Sequence, residues 1–245
     1  MREADTTVDA IVVGRLDVGE QDRVFRLLTA ESGLVSGWAN RARAARSPFA
    51  VLDLGVRVSV GVRRRPRSEV GDLVTITGVQ VVEPRIGVRG DLDRLGPAAL
   101  ACELAAGLGT TVPDPRLFGC LETALLLLDQ HPELPGTGFL AALVAKLLTF
   151  AGLAPALERC PGCGAAPERP MAWFAGGGGA FHVEHLPPDA AGAPRIELEA
   201  LTTLASLRRM PLLDAYAVAG ELAPMLALAE WHLGHSLRAR VWLQG

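Results

Sequence analysis

The sequence lacks an apolar run long enough to cross a membrane. Its longest apolar stretches are residues 125–128 and 139–150, and Lys146 interrupts the second of them. A spanning helix needs about 20 apolar residues. The first ten residues, MREADTTVDA, carry charges but no apolar segment typical of a secretory signal. These features predict a cytoplasmic protein.

Cysteine is scarce, with four residues in a chain of 245. This number is too low for a scaffold held together by disulfides. Cys102 and Cys120 lie in apolar, helix-like segments and are predicted to be small buried residues. Cys160 and Cys163 are separated by two residues, and in a reducing compartment this spacing indicates a metal site or a redox pair.

Sequence patterns of known catalytic sites are also missing. The chain contains neither a G-x-x-x-x-G-K-[ST] phosphate-binding loop nor a G-x-S-x-G nucleophile turn. Its acidic residues show no spacing typical of a catalytic carboxylate pair. We therefore expect a protein without an active site.

The first eighty residues are rich in Val, Ile and Thr, in short runs separated by Gly. These runs predict five strands, beginning near Val8, Arg23, Gly33, Val56 and Leu73. In the fourth run every second residue from Val56 is valine, so one face of that strand is apolar. Five short strands around one small core favour a five-stranded OB-fold barrel.

Helical spacing of apolar residues begins near residue 91. One stripe runs from Leu117 to Leu128 and another from Leu140 to Leu147. Residues 158–192 lose this spacing and gain Gly and Pro, and helical spacing returns from Glu197. The predicted fold class is α+β: an N-terminal OB-fold β-barrel (1–82), then an all-α domain (83–157 and 193–245) with an inserted zinc-finger-like module (158–192).

The inserted module contains a candidate metal site. Cys160 and Cys163 form a Cys-x-x-Cys turn, and His182 and His185 follow a run of four glycines. Zinc prefers four tetrahedral nitrogen and sulfur ligands, and two thiolates with two neutral imidazoles would leave the site uncharged. The alternative is that both histidines are polar loop residues in a module that has lost its metal. The spacing fits none of the catalytic zinc-helix motifs, so we expect a structural zinc ion.

A cluster of positive charge lies upstream, in a chain whose net charge is −3. Residues 41–67 contain eight arginines against one acidic residue, Asp53, which gives a local charge of +7. Repeated arginines suit phosphate binding, and Trp38 and Phe49 could offer stacking surfaces for bases. A solvated loop is the alternative. Residues 63–67 are predicted to form the tip of a hairpin. The eight candidates are Arg41, Arg43, Arg46, Arg57, Arg63, Arg64, Arg65 and Arg67.

Three passages together resemble the RecO family of DNA repair proteins. Residues 139–164 (FLAALVAKLLTFAGLAPALERCPGCG) resemble the family's helix and Cys-x-x-Cys-Gly turn, and residues 10–35 with 43–54 resemble its first strands and basic loop. Residues 233–238 (LGHSLR) are similar to its last helix. Many members have a second Cys-x-x-Cys where this chain has His182 and His185.

The resemblance implies a recombination mediator. RecO proteins bind single- and double-stranded DNA, anneal complementary strands and help load recombinase onto DNA coated with single-strand-binding protein. The implied partners are RecR and the C-terminal tail of the single-strand-binding protein, and Lys146 beside apolar helix surface is one candidate for contacting that tail. Two other hypotheses stay open: a zinc-bearing adaptor that binds protein only, and, with little support, a metal hydrolase.

Overall fold

The computed structural model describes residues 6–64 and 73–243, and of Arg64 only the backbone. The chain divides into two compact units. One comprises Met1–His131 together with Ala239–Gly245, and the other comprises Pro132–Arg238. The domain boundaries given above stay a prediction. Among the described residues, no helix combines the length and the apolar character needed to span a membrane.

Five strands form a closed barrel in the first unit, in the order β1-β2-β3-β5-β4. Strands β3 and β5 are parallel, all other neighbours are antiparallel, and β1 closes the barrel by pairing with β4. This order confirms the predicted OB-fold barrel. The strands are β1 (Thr6–Val18), β2 (Asp22–Thr29), β3 (Gly33–Ala39), β4 (Arg57–Arg64) and β5 (Leu73–Glu83).

Alternating side chains fill the barrel, as period-two strands require. The valines at 56, 58, 60 and 62 are all buried, and Phe25 and Leu27 of β2 are fully buried. Gly37 faces the same core, because a Cβ atom there would lie 2.8 Å from the side chain of Ile76. Phe49 also belongs to this core. The expectation that Phe49 offers a stacking surface is therefore wrong: Ser47 caps a short 3-10 turn, Pro48–Val51, that turns the ring inward.

Three helices complete the first unit: α1 (Ile86–Gly90), α2 (Leu92–Leu108) and α3 (Pro115–Gln130). Helix α3 begins at Pro115, and the preceding Asp114 carboxylate accepts a hydrogen bond from the Arg116 N–H at 2.9 Å. The C-terminal turn, Arg238–Leu243, returns to α2. There the Ala239 N–H donates to a Glu103 carboxylate oxygen at 2.9 Å, and Trp242 covers Gly96.

The second unit packs α4 (Thr137–Phe150) against α5 (Leu198–Arg209) and α6 (Leu222–Leu233). The predicted apolar stripe from Leu140 to Leu147 is buried. The segment of the chain between α4 and α5 forms a small three-stranded sheet, in the order β7-β6-β8. Its strands are β6 (Met171–Phe174), β7 (Gly179–Phe181) and β8 (Arg195–Ile196).

Candidate functional site

The two halves of the predicted metal site come together in the second unit. The ligand atoms of Cys160, Cys163, His182 and His185 all lie within 4.8 Å of one another. The Cys163 Sγ is 3.3 Å from the His182 Nδ1, and the Cys160 Sγ is 4.0 Å from the His185 Nδ1. Zinc bonds of about 2.0–2.3 Å in a tetrahedron separate the ligand atoms by roughly 3.3–3.8 Å. The observed separations are close to this range, so the four residues can hold one metal ion.

Local backbone geometry explains why these four residues meet. Strand β7 ends at Phe181, directly before His182, and the His182 N–H donates to the Cys160 Sγ at 3.4 Å. On the other side, the Gly164 N–H donates to the Cys160 carbonyl oxygen at 2.8 Å and closes the turn. Gly164 has a φ of +74°, which favours glycine. Gly162 has no room for a side chain, because a Cβ atom there would lie 2.8 Å from the His185 Cβ.

The environment of Cys160 suits a thiolate ligand. The side chain is 1% exposed, and burial by itself raises the pKa of its thiol. Hydrogen bonds from the backbone N–H groups of His182, Cys163 and Gly162, and from the Cys163 side chain, outweigh burial and lower the pKa of Cys160 below its ordinary value. Cys163 and His185 are exposed. Cys102 and Cys120 are buried elsewhere, as predicted.

Trp38 and Arg63, two of the candidate nucleic-acid residues, lie on strands of the barrel. Trp38 is half-buried on the outer side of β3, because its neighbours Gly37 and Ala39 face the core. Its register partners are Val24 on β2 and Thr75 on β5. Thr75 in turn pairs with Arg63 on β4, whose side chain is exposed. The structure thus brings Trp38 and Arg63 into one row across the outside of the barrel.

Three more candidates lie in the loop after β3. Arg41 has a φ of +53°, and its N–H donates to the Asp22 carboxylate at 2.8 Å, which fixes the backbone there. The Arg43 guanidinium donates to the Gly19 carbonyl oxygen and lies 3.4 Å from an Asp17 carboxylate oxygen. Arg41 and Arg46 are exposed, and within the described residues neither guanidinium has an ion-pair partner.

Arg57 has a different environment. Its guanidinium makes two hydrogen bonds to Asp9, one of them at 3.0 Å, and one to Glu122 at 3.2 Å, and it lies 6.0 Å from the Phe118 ring centre. The hydrogen bonds to Asp9 are the main reason that the pKa of Arg57 is raised above its ordinary value. The side chain is 30% exposed. Much of its positive charge is therefore already neutralised within the protein.

The remaining predicted arginines are described in part or not at all. Arg64 belongs to β4 by its backbone, whereas Arg65 and Arg67 lie outside the described residues. The Lys146 ammonium donates to the Arg208 carbonyl oxygen at 2.9 Å, at the C-terminal end of α5. The C-terminal end of a helix favours a cation, so this contact helps to hold α4 against α5.

One exposed arginine of the barrel, Arg26, was not among the residues predicted from the sequence. This residue is exposed on β2, its side chain lies over Gly14 of β1, and among the described residues it has no ion-pair partner. The signal was present in the alternation of the RVFRLLT segment, which places Arg26 on the face opposite to Phe25 and Leu27. The predicted cluster was defined by the density of arginines in residues 41–67, and Arg26 lies outside that range.

Comparison with known proteins gives one consistent result. The N-terminal model of the recombination protein O family matches residues 1–85, and its C-terminal model matches residues 89–240. A DNA repair protein RecO from Anaeromyxobacter sp. (strain K) is 39% identical over 95% of this chain and 93% of its own length. Proteins with the same name from Rubrobacter xylanophilus and Syntrophotalea carbinolica are 34% and 32% identical, over 84% and 82% of this chain and 81% and 75% of their own lengths. With its OB-fold barrel and its Cys/His cluster in place, the chain belongs to the RecO family of DNA repair proteins.

Proposed function

We propose that this protein is a DNA-binding recombination mediator without catalytic turnover. It binds single- and double-stranded DNA through the outside of the barrel, anneals complementary strands, and assists recombinase loading onto DNA coated by single-strand-binding protein. RecR and the C-terminal tail of the single-strand-binding protein are its proposed partners. The names of its relatives and the sequence resemblance support this role.

One observation carries the DNA-binding part of the proposal. Arg26, Arg41 and Arg46 are exposed on the barrel unit, and none has an ion-pair partner within the described residues. Arginine forms bidentate contacts to phosphate, and a cation without a carboxylate partner gives up no internal ion pair when it binds a phosphate. Arg43 and Arg63 extend this surface. Arg57 is the weakest candidate among the described side chains, because Asp9 and Glu122 already bind its guanidinium.

The test is a titration with labelled oligonucleotides over a range of salt concentrations. Each phosphate contact contributes about 0.7 to the slope of log K against log salt for single strands. The double variant Arg41→Gln/Arg46→Gln is therefore expected to bind more weakly at low salt and to lower that slope by about 1.4. The matched control is Arg195→Gln, which removes an exposed arginine from the second unit. We expect wild-type binding from this control.

The predicted hairpin is tested by changing Arg63, Arg64 and Arg65 together to Ala. Loss of binding is expected, and wild-type affinity in this triple variant would remove these residues from the interface. Failure of the wild-type protein to bind any oligonucleotide at low salt would contradict the proposal. That result would favour the adaptor hypothesis instead.

We also propose that the Cys/His cluster holds a structural zinc ion. Cys160, Cys163, His182 and His185 would supply all four ligands, so no coordination position is left for substrate or water. When bound, zinc would join the Cys-x-x-Cys turn to the end of β7. The chain's own hydrogen bonds at Cys160 already hold these two segments in register.

A further inference from the structure

One arginine of helix α5 holds the segment that precedes Cys160. The Arg208 guanidinium donates from Nη1 to the Pro155 carbonyl oxygen at 2.9 Å and from Nη2 to a Glu158 carboxylate oxygen at 3.0 Å. A guanidinium is planar and presents its N–H groups in a rigid fork, so two such bonds fix both the position and the direction of the segment. Arg208 therefore fixes residues 155–158, which end two positions before the first ligand of the Cys/His cluster.

The same segment is also bonded to strand β7. Ala156 forms a parallel bridge with Gly179, and its carbonyl oxygen accepts a hydrogen bond from the Ala180 N–H at 3.0 Å. From this bridge the two chains continue in the same direction, one to Cys160 and the other to His182, where the His182 N–H donates to the Cys160 Sγ. Residues 155–158 therefore connect helix α5 to both halves of the Cys/His cluster.

We propose that Arg208 is a positioning residue for the proposed zinc site, and that zinc occupancy is coupled through it to the last turn of helix α5. The inference rests on the proposed zinc binding and adds a residue outside the four ligands. A site that already has its binding shape loses less conformational entropy when the metal arrives, so it binds the metal more tightly. Coupling between two sites is reciprocal, so the metal must stabilise the end of α5 by the same amount.

The end of α5 is a firm support for these contacts. Leu207, the residue before Arg208, is fully buried, and the Lys146 ammonium on α4 donates to the Arg208 carbonyl oxygen at 2.9 Å. The Arg208 side chain itself is only 19% exposed. Hydrogen bonds from a charged group are stronger when they are shielded from water. A movement of residues 155–158 is therefore resisted by the packing of α4 and α5.

The next residue, Arg209, provides an internal comparison. Its guanidinium also binds the Glu158 carboxylate, but its side chain is 63% exposed, whereas the bond to the Pro155 carbonyl oxygen comes from Arg208. An ion pair that is open to solvent contributes little to stability. Removal of Arg209 leaves Glu158 with its more shielded partner and leaves Pro155 in place. The positioning role is therefore assigned to Arg208 and not to its neighbour.

The first experiment measures zinc affinity of the full-length protein by competition with a chromogenic chelator. Arg208→Gln and Glu158→Gln should each weaken zinc binding about 10-fold, at the lower end of the effects known for groups that orient metal ligands. Arg209→Gln and Glu199→Gln, at an exposed residue of α5, are the matched controls and should stay within about threefold of wild type. Glu158 is itself partly exposed, so its variant tests the contact even if Arg208→Gln does not fold. A purely structural role would lower stability equally with and without zinc and leave zinc affinity unchanged, which would overturn the proposal.

The second experiment follows hydrogen exchange of the backbone amides with zinc bound and after chelation. In the wild type, removal of zinc should speed exchange in residues 204–210 at the end of α5 as well as in the ligand loops. In Arg208→Gln this response of α5 should disappear. If the wild-type protein takes up no zinc, the proposed metal site fails and the coupling with it. If zinc binds equally well to the wild type and to Arg208→Gln, and exchange in α5 does not respond, the coupling is overturned while the metal site stands.

Discussion

One carboxylate balances two arginines inside the first unit. The Arg85 side chain is fully buried, and its Nη2 is 2.7 Å from the Glu122 Oε1, which also accepts from Arg57 at 3.2 Å. The Arg85 Nε and Nη1 and the Glu122 Oε2 are buried without a hydrogen-bond partner among the described atoms. A buried ion that loses its counter-charge is costly, because water cannot replace the lost interaction. Glu122 is thus a key residue for stability.

Replacement of Glu122 tests this role. Glu122→Gln is expected to lower the free energy of unfolding by about 3–5 kcal/mol, because Arg85 would remain buried without its counter-charge. Urea denaturation measures the change. Glu20→Gln, at an exposed residue of the same unit, is the control and should stay within about 0.5 kcal/mol of wild type. Replacing both charges, Arg85→Met with Glu122→Leu, should recover much of the loss; a double variant as unstable as the single one would contradict this account.

Residue-scale features with distant partners could not be predicted from the sequence. Arg57 and Glu122 are 65 positions apart, and Arg85 and Glu122 are 37 apart. No local pattern relates such residues, so Arg57 looked like any other member of the arginine cluster. The metal site was different, because the Cys-x-x-Cys spacing and the following histidines restrict the geometry within a short segment. Its four residues could therefore be named from the sequence.

At the scale of elements, the barrel strands were predictable because the sequence of each strand shows where it lies, without reference to its neighbours. Alternation fixes which side chains face the core, and the glycine-separated runs fix where strands end. The position of Phe49 was not predictable in this way. Its ring enters the barrel through a short 3-10 turn capped by Ser47, and nothing in the spacing of apolar residues indicates such a turn.

Substitution of Gly37 on β3 tests the packing of the barrel core. Gly37 faces the barrel core, where a Cβ atom would lie 2.8 Å from two carbons of Ile76 and 3.6 Å from one of Leu27. Gly37→Val should therefore overpack the core and lower the free energy of unfolding by about 1–3 kcal/mol or more. Gly78→Val on β5 is the matched control, because no atom lies within 4 Å of a Cβ atom there. Equal stability of the two variants in urea would show that Ile76 moves aside without cost.

At the scale of the whole molecule, the two units divide the proposed tasks. All proposed DNA contacts lie in the first unit, whereas the Cys/His cluster and helices α4 to α6 lie in the second. This division predicts that metal and DNA binding can be lost separately. Because the arginine cluster and the metal site lie in different units, each could be recognised in the sequence independently of the other.

The zinc content and the DNA affinity of one variant test this separation. Protein purified without added metal should contain about one equivalent of zinc, and His182→Ala should lose it and lower the stability of the second unit. DNA affinity should stay within about twofold of wild type, since the phosphate contacts belong to the other unit. His232→Ala, which changes an exposed histidine of α6, should keep its zinc. Less than half an equivalent of zinc in the wild type, or a large loss of DNA affinity in His182→Ala, would contradict the prediction.

Thiol labelling after chelation offers a second readout of the same site. Cys163 is exposed and should react first once the metal is removed. Burial raises the pKa of Cys102 to about 12, so its thiol stays protonated at neutral pH and should not react in the folded protein. Rapid labelling of Cys102 under these conditions would indicate that the first unit had unfolded as well.

The return of residues 239–243 to helix α2 has a consequence for biosynthesis. The Glu103 carboxylate and the surface over Gly96 are contacted by Ala239 and Trp242. During synthesis, residues 132–238 are made before these two residues. At 5–20 residues per second, translating that segment takes roughly 5 to 20 seconds. The barrel strands can therefore close while the chain is still on the ribosome, but the first unit is completed only after the whole second unit has been synthesised.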